Sequence, residues 1–397
     1  MRRTVLQILG RNQPLFVEDI IRHNSELSDK VHDGRFLVIG GAGSIGQAVV
    51  RELFKRSPKS LHVVDISENN LVELVRSIRS SLGYTEGEFR TFALDFGSVE
   101  FQALLGASGG YDYVLNLAAL KHVRSEKDPY TLMRMINTNV LHTEALRRWC
   151  AETAATKMFC VSTDKATNPV NMMGCSKRIM ELFLFGRSDR IPISTARFAN
   201  VAFSDGSLLH GFDQRVAQGQ PLSVPVDVRR YFITQEESGL LCLMSCLLGE
   251  NRDIFFPQLS SGLHLTGFRE ITVRYLDSLG YEAVTCESEQ EARESVNLLK
   301  AKAKWPVYFF NSDTTGEKPF EEFFQEDSVL DLARFQNVGI VKQPVLNVES
   351  KLRHFEESMV RLQRTRKWDK QTILSHFQEL VPEFEHEEKE RYLDDRM

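Results

Sequence analysis

The chain has 397 residues, 42% hydrophobic and 26% charged, the make-up of an ordinary folded protein with room for two or three packing units. Its 49 lysines and arginines against 54 acidic residues leave a net charge of −5, so charge alone would hold neither a nucleic acid nor an anionic membrane. With 24 glycines and 12 prolines it is neither collagen-like nor low-complexity.

Residues 1–33 read as an appended helical arm. Leu15, Ile20, Ile21 and Leu27 fall on one stripe of a helix, suited to covering a domain or a partner subunit. The apolar stretch in MRRTVLQILGRN is too short for a signal peptide, and no window approaches the roughly 18 apolar residues of a membrane span. The six cysteines form no C-x-x-C and share no zinc-like spacing with histidine. A reducing, cytoplasmic setting without a metal site is expected. Cys242 and Cys246 stand one helical turn apart in GLLCLMSCLLG, which reads as a buried helix face.

From residue 34 apolar strands alternate with helical segments: RFLVIG, then QAVVRELFKR as a helix, SLHVVD, YDYVLNLAA, TKMFCVST and ISTARFANVAF. This alternation predicts βαβ units and an α/β fold, a Rossmann-type doubly wound parallel sheet. The sheet domain is assigned to residues 34–200, with part of 231–250 returning to it. Residues 201–397 read as mainly a smaller mixed α/β substrate-binding domain and a helical tail ending in a charge run.

Gly40, Gly43 and Gly46 follow the first strand as G-x-x-G-x-x-G, and Ser44 and Ile45 open the next helix. Such a loop lets the backbone approach a pyrophosphate, which rests on the helix N-terminus. Asp65 closes the second strand, where a carboxylate accepts hydrogen bonds from a ribose. Ile66 follows it, with no arginine for a 2′-phosphate, so the expected cofactor is NAD. Asp95 and Phe96, after the run FAL, are placed to clasp adenine.

The glycine spacing, together with Asn116, Ala118 and Ala119 in N-L-A-A, resembles the extended short-chain dehydrogenase/reductase superfamily. In that superfamily a Tyr-x-x-x-Lys pair follows the fifth strand. Lys177 matches the lysine, but Met173 stands at the tyrosine position, and a thioether cannot serve as a base. Thr163-Asp164-Lys165, just upstream, resembles the T-D-K triad of nucleotide-sugar 4,6-dehydratases, specifically the N-acetylglucosamine 4,6-dehydratase family and its Met-for-Tyr branch. The chain resembles that family further in A-L-K-H-V at 119–123, N-T-N-V at 137–140, R-F-A-N-V at 197–201 (Ala199 for the usual glycine), R-Y-F at 230–232 and G-E-K at 316–318.

The resemblance covers roughly residues 34–320 and implies a reaction. A nucleotide-activated N-acetylglucosamine is dehydrated to its 4-keto-6-deoxy product while NAD is recycled, for surface-glycan, bacillosamine-type or legionaminic-type sugars. UDP is the favoured nucleotide, with GDP the alternative. Lys165 is then the base at C5, Asp164 the acid at the C6 oxygen and Thr163 a partner of O4. Lys121, His122, Asn200 and Arg230 are implied substrate contacts, with Arg229 or Arg230 clamping phosphate. The resemblance also implies a homodimer or higher oligomer. Two alternatives stay open: a 4-epimerase or dehydrogenase on the same fold, and a non-catalytic dinucleotide sensor.

Overall fold

A computed structural model describes residues 4–259, 263–312 and 321–386. Six parallel strands, β1 (Arg35–Ile39), β2 (Ser60–Asp65), β3 (Glu88–Ala93), β4 (Tyr113–Asn116), β5 (Lys157–Val161) and β6 (Ile193–Ala196), lie in the order β3-β2-β1-β4-β5-β6. Helices cover both faces of this doubly wound sheet, so β2, β4 and β5 are almost wholly buried and read as mainly apolar runs. At the edge, β3 keeps exposed alternate residues. Register pairs Ile39 with both Val64 and Asn116, Asn116 with Cys160, and Val161 with Ala196. The loops after these strands therefore leave side by side along one edge, flanking the point between β1 and β4 where strand order reverses.

More of the chain after residue 200 returns to this sheet than the 231–250 segment expected. The helix Gln235–Leu248 packs against the helix Ser44–Phe54, close enough that a Cβ on Gly239 would come within 2.8 Å of Ala48. Cys242 and Cys246 are buried on it, as read. Asp253–Pro257 then pairs parallel with β6, and Val338–Lys342 and Leu330–Asp331 continue the sheet antiparallel to nine strands.

A second core gathers around Trp305, under a three-stranded parallel sheet of Glu282–Cys286, Lys304–Phe310 and Leu222–Pro225. Two further short pairings complete the sheets: Asn200–Val201 with Phe232–Ile233, and Arg229–Arg230 with Thr266–Gly267. Among the described residues no helix is long and apolar enough to cross a membrane.

The N-terminal arm covers its own chain. Arg11 forks onto the buried Glu237 at 2.8 and 2.6 Å, and both oxygens of Asp19 accept backbone N–H groups, from Gln336 and Asn337. The buried stripe of the helix Val17–His32 runs through Asp19, Leu27 and Val31, whereas Ile21 is 71% exposed. Including Ile21 in the stripe was wrong: it lies about 100° round the helix from Ile20.

Candidate active site

Asp65 anchors the glycine loop. Its two carboxylate oxygens accept from Ala42 N and Ser67 N, each at 2.9 Å, tying the loop to the end of β2. Gly40 has φ +74, and a Cβ there would meet Ala118 N at 2.6 Å; one on Gly46 would come 2.1 Å from the Gly40 carbonyl oxygen. These two glycines are required by close packing. A Cβ on Gly43 would meet nothing nearer than 3.6 Å, so its outer side is open. Gly43 is also the N-cap of the helix beginning Ser44-Ile45, with no side chain capping it. An open glycine before an uncapped helix start fits a pyrophosphate. The Ser44 hydroxyl accepts from Asp205 N at 2.8 Å and so joins the two halves.

Around the neighbouring strand ends, Asp95 is exposed and accepts from Gly97 N, while Phe96 is buried edge-on to His142 at 5.6 Å. The Asn116 side chain is buried and turned inward, donating to Thr143 and accepting from Ala118 N. It shapes the turn carrying Ala118 and Ala119. The expected T-N-V helix carries a π-turn, Asn137–Leu141. From it Asn139 bonds Leu120 N, Leu120 O and the Ser176 hydroxyl.

Beyond β5 the chain makes a single turn, Asp164–Ala166, with Thr163 as its N-cap. The Thr163 hydroxyl donates to Asp164 Oδ1 at 2.8 Å, and Lys165 Nζ lies 3.3 and 3.4 Å from the two Asp164 oxygens. Hydroxyl, carboxylate and amine thus form one continuous polar group, with the carboxylate buried and the lysine side chain one-third exposed. Lys177 rises from the helix Met172–Gly186 beneath it, 3% exposed, donating to Val161 O at 3.0 Å. Burial lowers its ammonium from 10.5 to about 8, with Cys160 and Glu181 opposing. Of the two lysines in this region, the one isolated from water is therefore Lys177, while Lys165 is paired with Asp164. Met173 is buried in an apolar cluster with Leu132, Met135, Ile179, Phe355 and Phe377.

Lys121 and His122 follow Ala119 and lie beside Asp205 and Gly206. Both reach solvent, but partial desolvation lowers both; Asp205 opposes the shift at Lys121, whereas Lys121 and Arg124 reinforce it at His122. Arg229 is exposed and Arg230 is 9% exposed, so Arg230 is the arginine turned inward. It and Asn200 meet on Glu321, a residue sequence reasoning missed. Glu321 Oε1 accepts from Asn200 Nδ2 and lies 3.7 Å from Arg230 Nε, and Oε2 accepts from Tyr231 N at 3.2 Å. Only the carboxylates after G-E-K hinted at it, and Gly316-Glu317-Lys318 itself lies outside the described residues. A separate group, His354, His376 and Glu379 on the C-terminal helices, brings possible metal-ligand atoms within 4.8 Å of one another.

The family described as polysaccharide biosynthesis protein matches residues 36–292. An uncharacterised membrane protein of Methanocaldococcus jannaschii is 29% identical over 324 residues, 80% of this chain and 88% of its own length. Two longer bacterial relatives are covered over only about half their length, 51% and 44%. Among solved structures, Pen from Bacillus thuringiensis superposes with a TM-score of 0.62 at 21% identity, over 79% of this chain and 89% of that one. DesIV, a dTDP-glucose 4,6-dehydratase from Streptomyces venezuelae solved with NAD bound, gives 0.55 at 19% identity, over 73% and 88%. At these identities the structural likeness establishes the fold. With the family match spanning residues 36–292, well over half of its length, the chain belongs to the polysaccharide biosynthesis protein family, and its fold is one also found in solved nucleotide-sugar dehydratases and epimerases.

Proposed function

We propose that this protein is an NAD-dependent 4,6-dehydratase acting on a nucleotide-activated N-acetylglucosamine, UDP-linked in preference to GDP-linked. The observation that carries the reading is the continuous Thr163-Asp164-Lys165 group at the end of β5, with Lys177 beneath it and a thioether where a reductase or epimerase needs its tyrosine. Gly40, Gly43, Gly46 and Asp65 would hold the dinucleotide, with Asp95 and Phe96 toward its adenine. When bound, NAD supplies a hydride acceptor and returns the hydride within the same cycle.

The chain's own residues manage three protons. The proton leaving O4 passes through the Thr163 hydroxyl to Asp164, along the 2.8 Å contact already present. Asp164 then delivers it to the C6 oxygen as water departs, so one carboxyl serves both ends of the sugar and finishes unchanged. Lys165 takes the proton at C5 that the neighbouring ketone has made acidic, then returns one to C5. This relay gives the O4 proton an acceptor without a tyrosine. Asn200 and Arg230 meet the diphosphate, and Lys121 and His122 border the sugar. The six buried free cysteines support a reducing, cytoplasmic setting, and a homodimer or larger homo-oligomer is the assembly we propose.

The test is incubation with UDP-N-acetylglucosamine in deuterated water without added cofactor. Loss of water, deuterium at C5 and no net NADH are expected. Net NADH without loss of water would replace the reading with a dehydrogenase, and no turnover of any UDP- or GDP-sugar would leave a dinucleotide sensor.

A further inference from the structure

We propose that Glu321 is a positioning residue of the substrate pocket, which holds Asn200 and Arg230 before substrate binds and takes up a proton when an anionic substrate claims them. The inference rests on the nucleotide-sugar reading, because the diphosphate is what would compete for these groups.

Glu321 is 5% exposed and contacts both elements expected to grip the diphosphate. One oxygen is shared by Asn200 and Arg230, and the other takes the backbone N–H of Tyr231. The residues that follow it are tied to Asn168, just past the turn Asp164–Ala166, and to Arg197. Asn168 donates to Glu322 at 3.1 Å and accepts from Gln325 at 3.1 Å, and Arg197 donates to Phe323 O at 2.7 Å. The Phe323 ring stacks on Phe256 at 5.9 Å.

The charged groups facing it are Asp164 and Lys165 from that loop and Arg230 from its own short strand, with the Tyr231 amide alongside. Burial and the Asp164 charge raise the Glu321 carboxyl to about 7, while Arg230 and Lys165 oppose them. A sugar diphosphate adds two negative charges to the same small volume. In a partly dry site the lowered effective dielectric strengthens that repulsion well beyond its value in water. Protonating Glu321 removes the repulsion and turns a competitor for Arg230 into a neutral hydrogen-bonding group. The sign follows: above about pH 7 the free protein holds Glu321 ionised, so binding must draw a proton from solution and weakens as pH rises.

Initial rates with UDP-N-acetylglucosamine from pH 6 to 9, on full-length wild type and Glu321→Gln, test this. Wild-type KM should rise about tenfold per pH unit above pH 7 while that of Glu321→Gln changes less than about threefold, because glutamine mimics the protonated acid. Calorimetry of UDP binding to the wild type, in two buffers of different ionisation enthalpy at pH 8, should report uptake of close to one proton; it decides the matter even if Glu321→Gln folds poorly. Parallel KM profiles in the two proteins, or UDP binding without proton uptake, would overturn the role of Glu321 while leaving the dehydratase reading intact. A wild type that neither binds UDP nor turns over any nucleotide sugar overturns both.

Discussion

Gly174 sits directly against the carbonyl of Lys165: a Cβ at 174 would come 2.4 Å from that oxygen. The Gly174 amide in turn donates to the Asn171 cap at 2.8 Å, and the preceding amides of Met172 and Met173 donate to the buried Glu126. The helix bearing Lys177 is thus seated on the turn bearing Asp164 and Lys165, with no room for a methyl group. Gly174→Ala should push the two apart by a fraction of an ångström. A misplacement of about 1 Å can cost about 100-fold in rate, and overpacking typically costs about 1–3 kcal/mol of stability. We expect turnover to fall tenfold or more while NAD remains bound; unchanged turnover would mean that the turn and helix need no close registry.

Glu181, fully buried on the same helix, receives Arg197 through both oxygens, at 3.0 and 2.6 Å, and the Ser162 hydroxyl at 2.7 Å. Burial alone would raise its carboxyl, but the charge and hydrogen bonds of Arg197 prevail and hold it below the usual range. A depressed carboxylate contributes stability that is present above its unfolded pKa and lost as pH falls through its folded value. Glu181→Gln strands the Arg197 charge and should cost about 3–5 kcal/mol at pH 7. Urea titrations at pH 7 and 4 should show the deficit shrinking at the lower pH. A deficit constant with pH would indicate that packing, not charge, is what the substitution removes.

Much of this architecture is legible in local sequence. Strands buried on both faces are mostly apolar, which is why β1, β2, β4 and β5 stand out despite the buried Ser60, His62, Asn116 and Lys157, and a loop that touches its own neighbours must be glycine, which is why Gly40 and Gly46 do. Contiguity makes Thr163-Asp164-Lys165 visible, since three functions on one turn need three adjacent letters. What stays hidden is contact across the chain. Glu321 meets Asn200 and Arg230 only because the chain returns to them after more than 90 residues, and no local pattern encodes that. Side-chain direction is hidden too. Asn116 reads as a cofactor contact by position, yet its amide turns into the protein toward Thr143. Arg197 heads a substrate-like motif but spends its charge on Glu181.

Asp65 offers a prediction on the cofactor side. Because each of its oxygens already takes one backbone N–H, from Ala42 and from Ser67, it acts on the loop before any ribose arrives. Asp65→Ala frees both amides and removes the ribose partner, so NAD affinity should fall by about two orders of magnitude, from the loss of two or more hydrogen bonds to a charged group. Asp65→Asn keeps one acceptor and should lose less. Fluorescence titration of NADH into nucleotide-stripped protein reads this order directly; equal affinities for all three proteins would remove Asp65 from cofactor binding.

Lys177 carries the clearest link between stability and pH. It is 3% exposed, and burial lowers it from 10.5 to about 8, so its charge is held at a cost in the folded protein. For a lysine shifted downward, the unfolded chain binds the extra proton between about pH 8 and 10.5. Stability contributed by this site must therefore rise with pH across that window and be lowest below it. The full excursion is on the order of 3 kcal/mol, taking 1.36 kcal/mol per unit. Lys177→Met, close to the same length and without the charge, should lack this slope. Urea denaturation of nucleotide-stripped wild type and variant at pH 7 and 10 should find the variant relatively more stable at pH 7 and its advantage reduced or reversed at pH 10. Turnover should be lost in the variant at both pH values, since the ammonium beside Val161 is what orients the cofactor in the proposed site. Parallel stability at the two pH values would show that Lys177 keeps its ordinary affinity for a proton despite its burial, and the charge balance assigned to the end of β5 would have to be drawn again.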